Sequence, residues 1–100
     1  MSAAIKTLVN NLIAQNRVMV FSKSYCPHCA KTKSLLASKG VSVKIIELDQ
    51  AESGSEMQTY LATLTGQSSV PNTFIAQKHI GGNDKLQAIE KAGQLDGLLA

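Results

Sequence analysis

Arginine occurs once in this chain of 100 residues, at Arg17, and aromatic side chains make up only 4% of it. Nucleic-acid surfaces more typically carry arginine clusters or stacking aromatics, so that class of partner is not expected. The formal net charge of +3 comes from lysines scattered between Lys6 and Lys91, which fits weak steering of a small anionic partner such as a peptide carboxylate. No uninterrupted apolar stretch approaches the length needed to cross a bilayer, and neither low-complexity tracts nor internal repeats occur. The opening Met1-Ser2-Ala3-Ala4-Ile5-Lys6 has no secretory hydrophobic core, so the cytoplasm is the expected compartment. Cysteine is scarce too, with only Cys26 and Cys29. Zinc usually wants four ligands, and with no second C-x-x-C and no H-x-x-x-H pattern, no metal is expected.

What is present is enough for one core. With 44% apolar residues, the chain reads as a single domain over residues 1–100 and is expected to act as a monomer. Ala4, Ile5, Leu8, Val9, Leu12 and Ile13 recur at helical spacing and predict an amphipathic helix ending near Asn16. A short buried strand follows at Val18 to Phe21. A helix-like run from Ala30 to Ser38 is stopped by Gly40, and the branched stretch Val43 to Leu48 predicts a second strand. Glu52 to Thr65 reads as a third helix closed by Gly66. Thr73 to Ala76 and Lys78 to Ile80 form a hairpin around Gln77, and Asn83 or Asp84 caps a last helix to Ala92, with a terminal turn from Leu95 to Leu99. The order α, β, α, β, α, β, β, α implies a four-stranded mixed sheet with helices on both faces.

Cys26-Pro27-His28-Cys29 falls where the first strand hands over to a helix. The free N–H groups of that helix's first turn, with the positive end of its dipole, favour an ionised first sulfur. Cys26 is then the attacking thiolate, and Cys29, one turn on, lies on the same face, where it can resolve a mixed disulfide. Other readings of the pair alone stay open: a structural disulfide, half of a zinc site, two inert buried thiols, or a chance spacing. Context must decide among them.

That context is a set of four ordered segments: Lys23-Ser24-Tyr25-Cys26-Pro27-His28-Cys29, Met57-Gln58-Thr59-Tyr60-Leu61, Ser69-Val70-Pro71-Asn72-Thr73-Phe74-Ile75 and Ile80-Gly81-Gly82-Asn83-Asp84. On these the chain resembles the thioredoxin fold and, more closely, the dithiol glutaredoxins, from about Ile5 to Leu99. The resemblance implies an α/β, thioredoxin-like fold and a glutathione-dependent thiol–disulfide oxidoreductase. Its partners would be glutathionylated or disulfide-bonded proteins, with glutathione as cosubstrate. It also implies a cis bond before Pro71, turning the Val70 N–H and C=O toward an extended peptide beside Cys26. In the implied site, Lys23 and Gln58 hold the glycyl carboxylate and Val70 pairs with the cysteinyl backbone. Gly82, Asn83 and Asp84 receive the γ-glutamyl carboxylate through backbone N–H groups.

Two positions depart from the resemblance. Many relatives carry aspartate where this chain has Lys85, and a lysine there repels the γ-glutamyl ammonium, so weaker discrimination for that amine is expected. Tyrosine is common where His28 stands; an imidazole near the helix start can stabilise the Cys26 thiolate. His79 reads as a surface strand residue away from the motif. The rival functions are a thioredoxin-like general disulfide reductase and an iron–sulfur cluster carrier. The tryptophan and glycine usual around thioredoxin cysteines are missing, and in the family a proline after the first cysteine generally disfavours a cluster. A periplasmic thiol oxidase is opposed by the lack of room for an inserted helical domain.

Overall fold

A computed structural model describes residues 2–100. The first helix, α1 (Ala3–Gln15), starts where the Ser2 side chain accepts a hydrogen bond from the Ile5 N–H at 3.2 Å, and it buries Ile5, Val9 and Ile13 at four-residue intervals. Strand β1 (Val18–Ser22) follows and is buried along its whole length. Helix α2 (Pro27–Ser38) begins three residues earlier than the Ala30 run implied, because Pro27 at its first position has a ring-fixed φ suited to a helix start. Then come β2 (Lys44–Glu47), α3 (Gly54–Thr65), β3 (Asn72–Ile75), β4 (Lys78–Gly81), α4 (Asn83–Lys91) and α5 (Leu95–Leu99).

The strands form one mixed sheet in the order β2-β1-β3-β4, with β1 parallel to β2, antiparallel to β3, and β3 antiparallel to β4. Alternation along β1 sends Met19 and Phe21 to one face, where α1 and α3 cover them, and Val18 and Val20 to the other, beneath α2, α4 and α5. The Phe21 and Phe74 rings meet edge to face at 6.1 Å in the first of these two cores. The expected fold class is therefore the observed one. At local scale three expectations are corrected. Helix α3 starts at Gly54, not Glu52, and a side chain there would collide with the Leu48 carbonyl oxygen at 1.7 Å. Ala76 belongs to the hairpin turn, not to β3, since Ala76 and Gln77 both have positive φ (50° and 67°), the conformation that a two-residue turn between twisted strands needs. Neither Asn83 nor Asp84 caps α4. Its cap residue is Gly82, without a side-chain cap, because the Asn83 carboxamide turns inward to a buried partner on α2.

Candidate active site

Strand β1 and helix α2 place the two cysteines. Cys26 is the cap residue of α2, and its sulfur accepts the Cys29 N–H at 3.3 Å, as a side-chain oxygen would at an ordinary helix cap. The loop before it is pinned at two points. The Cys26 N–H donates to the Lys23 carbonyl at 3.1 Å, and Ser24 donates from both its N–H (2.9 Å) and its hydroxyl to the Asp49 carboxylate just beyond β2. Those two donors, hydroxyl first, hold the Asp49 carboxyl below its ordinary value.

The thiols are driven apart in acidity. Burial pushes the Cys26 thiol up, but hydrogen bonds from the Cys29 thiol, the Cys29 N–H and the His28 N–H outweigh it, with help from the Lys33 charge, so its pKa lies below that of an ordinary thiol. Cys29 is fully buried, and burial raises it despite the Lys23 N–H; its bond to Cys26 raises it further. A half-exposed thiol whose anion is stabilised sits beside a buried thiol whose protonated form is favoured. That division of labour is what thiol–disulfide exchange requires.

Beside the sulfur runs a cavity of about 650 Å³, lined by His28, Val70, Pro71, Gly82, Asn83 and Asp84 and extending toward Gln67, His79 and Lys85. The Val70–Pro71 bond is cis, and the Cys26 sulfur lies 3.9 Å from the Val70 carbonyl oxygen. Gln67 braces this loop, donating from Nε2 to the carbonyls of Ser69 and Pro71, each at 2.9 Å. At the other wall, α4 makes its first turn bond from the Leu86 N–H to the Gly82 carbonyl, leaving the N–H groups of Asn83, Asp84 and Lys85 without an acceptor among the described residues. The helix that carries the cysteines, α2, is tied to α4 by a buried bond, Thr32 Oγ1 to Asn83 Oδ1 at 3.0 Å.

Of the residues singled out from the sequence, the structure brings His28, Val70, Pro71, Gly82, Asn83 and Asp84 to this cavity; Cys26 is not in its lining, but its sulfur lies 3.9 Å from the carbonyl oxygen of the lining residue Val70. Lys23 and Gln58 lie outside its lining; Lys23 is half-buried in the loop before Cys26, and Gln58 donates to the Ser68 carbonyl at 2.8 Å. At residue 28 it is the backbone N–H that helps lower the Cys26 pKa, while the imidazole is exposed on the cavity wall. His79 is solvent-exposed as expected but not remote: its Nε2 pairs with Asn72 Oδ1 at 2.8 Å, its ring packs on Phe74, and it lines the cavity. The residues that sequence reasoning missed are those that hold others in place: Asp49, Gln67 and Thr32. None stands at a spacing that signals its partner.

A family model described as glutaredoxin matches residues 18–80. A glutaredoxin of Ricinus communis is 50% identical over 93% of this chain and 91% of that relative. Among solved structures, a wheat glutaredoxin shares 46% identity with a TM-score of 0.93, covering 97% of this chain and 92% of that one. A buckwheat glutaredoxin–glutathione complex shares 37% identity with a TM-score of 0.92, covering 99% and 93%.

Proposed function

Since the chain belongs to the glutaredoxin family of thiol–disulfide oxidoreductases, we propose that it reduces protein–glutathione mixed disulfides through the Cys26 thiolate, with Cys29 as the resolving thiol. The observation that carries this reading is the Cys26 sulfur at the cap of α2, accepting the Cys29 N–H at 3.3 Å, 3.9 Å from the Val70 carbonyl and beside a cleft that ends at free N–H groups. The Cys26 thiolate attacks the glutathione sulfur of the mixed disulfide, the protein thiolate leaves and takes up a proton, and glutathione stays on Cys26. A second glutathione thiolate then attacks that glutathione sulfur, releasing oxidised glutathione and restoring Cys26. In the dithiol route Cys29, once deprotonated, attacks the Cys26 sulfur instead and expels the bound glutathione as its thiolate, and two glutathiones then reduce the Cys26–Cys29 bridge and leave as oxidised glutathione.

Glutathione lies extended along Val70, which pairs with its cysteinyl backbone. Its γ-glutamyl carboxylate sits at the N–H groups of Asn83 and Asp84 beyond Gly82, and its glycyl carboxylate is held by Lys23 and Gln58. Tyr25, 68% exposed next to the nucleophile, offers an apolar face to the polypeptide that carries the glutathione. A dithiol exchange of this kind runs in a reducing compartment, and the cytoplasm is the compartment we propose for it. The His28 ring adds to the backbone's stabilisation of the thiolate, so His28→Tyr raises the thiol pKa; an unchanged thiol titration assigns all of the effect to the backbone. The decisive assay is turnover of the mixed disulfide of glutathione and 2-mercaptoethanol. Cys29→Ser keeps activity and Cys26→Ser has none, whereas activity surviving in Cys26→Ser removes the proposal.

A further inference from the structure

The cavity's second end carries a cation with no counter-ion. Lys85 is the third residue of α4 and lines the cavity, and its aliphatic chain lies over Gly81, where an added Cβ would be 3.1 Å from Lys85 Cδ and 3.4 Å from Gln67 Oε1. The side chain therefore folds back across the corner between β4 and α4, over Gly81. Burial, and then the Lys85 charge, push the His79 imidazole pKa down, as expected if that charge faces the ring. Among the described residues the ion pairs are made by Lys33 and Lys39, and none by Lys85. Asp84 is the sole carboxylate on the cavity wall. Against it stand Lys85, the acceptor-free N–H groups of the α4 first turn and the positive end of that helix.

The γ-glutamyl end of glutathione carries its carboxylate and its ammonium on one carbon. A pose that seats the carboxylate at the α4 N–H groups brings the ammonium close to Lys85, where it is repelled, while the carboxylate gains from the same lysine. We propose that Lys85 makes this cleft prefer thiols whose far end is a carboxylate without a neighbouring ammonium, that is, glutathione-like peptides deaminated or acylated at the γ-glutamyl nitrogen, over glutathione itself. This rests on reading the cavity as the glutathione cleft. The chemistry is unchanged: Cys26 bonds to the ligand sulfur, and the partner thiolate leaves and is protonated.

The test compares two mixed disulfides of 2-mercaptoethanol, one with glutathione and one with glutaryl-cysteinylglycine, which lacks only the ammonium. The second-order rate constant for loading the ligand onto Cys26 is read by mass spectrometry. Wild-type protein loads the deaminated peptide at least as fast as glutathione. Lys85→Asp moves the ratio about tenfold toward glutathione, the scale of reversing one unit charge at a solvated site, and added salt shrinks that change. Lys85→Gln moves it part of the way and serves if the aspartate variant does not fold. Lys6→Asp, with the same charge change on the exposed face of α1, leaves the ratio alone. Loading that favours glutathione in the wild type, at a ratio unchanged by either Lys85 variant, overturns the inference while leaving the proposed function standing. Loading from neither disulfide, by a protein whose Cys26 is still alkylated normally, overturns both.

Discussion

Thr32→Val cuts the one buried side-chain bond, among the described residues, between the helix that carries the cysteines and the helix whose first turn ends the cleft. Thr32 is completely buried on α2, and its hydroxyl donates to Asn83 Oδ1 at 3.0 Å; the same oxygen also accepts from Gln87 Nε2 at 3.1 Å. Because Asn83 keeps its second partner, the loss is that of one buried hydrogen bond with only partial orphaning of its acceptor, about 1–2 kcal/mol. Valine restores the volume, so little cavity is added. For a domain of this size each kcal/mol lowers Tm by about 4–8 °C, giving an expected drop of about 5–15 °C by circular dichroism. The functional consequence is specific. Asn83 is then held by Gln87 alone and no longer tied to α2, so KM for the glutathione mixed disulfide should rise severalfold while kcat, which we assign to Cys26, changes less than about twofold. Thr32→Ser keeps the donor and should keep KM even though it loses a methyl group. A Thr32→Val protein with unchanged Tm and unchanged KM would refute the claim that this bond positions the cleft.

Gly54→Ala should be among the most damaging small substitutions, since its Cβ would stand 1.7 Å from the Leu48 carbonyl oxygen and 2.7 Å from the Leu48 carbonyl carbon, backbone atoms that cannot rotate away. A loss of about 3 kcal/mol or more is expected in urea unfolding, and a loss under about 1 kcal/mol would contradict the packing described. Asp49→Asn should weaken the anchor on Ser24 in a pH-dependent way. The Asp49 pKa is depressed from 3.8 in the fold, so its contribution is fully present above that value and is lost as pH falls through the depressed one. The stability gap between wild type and Asp49→Asn should hold steady above pH 3.8 and close below it; a gap independent of pH would show that the carboxylate charge plays no part.

The sheet and its helices were legible because their signals are periodic. Val18 to Phe21, the four-residue steps of Ile5, Val9 and Ile13, and the cysteines at the strand–helix junction all follow from spacing alone. The start of α4 was not legible, since Asn83 is a good cap by type and is drawn inward by Thr32, 51 residues away in the chain. The sequence marks the hairpin turn near Gln77, but Ala76-Gln77 lacks the glycine or asparagine that usually signals two positive φ values, so nothing in the pattern separates Ala76 from β3. In the site, backbone-borne parts such as Val70, Pro71 and Gly82 could be placed by resemblance. Asp49 and Gln67 act through side chains reaching to loops that only the fold brings near, and no sequence pattern encodes that reach.

The central claim is that the fold holds Cys26 as a stabilised anion while keeping Cys29 protonated, and site-resolved alkylation tests it directly. Reduced protein is treated with iodoacetamide across a pH series, and modification at each cysteine is followed by mass spectrometry. The account predicts that Cys26 reacts first, with a midpoint below the ordinary thiol value of 9.0, and that the Cys29 midpoint lies above it. A Cys26 midpoint at or above that value, or prior alkylation of Cys29, would contradict it.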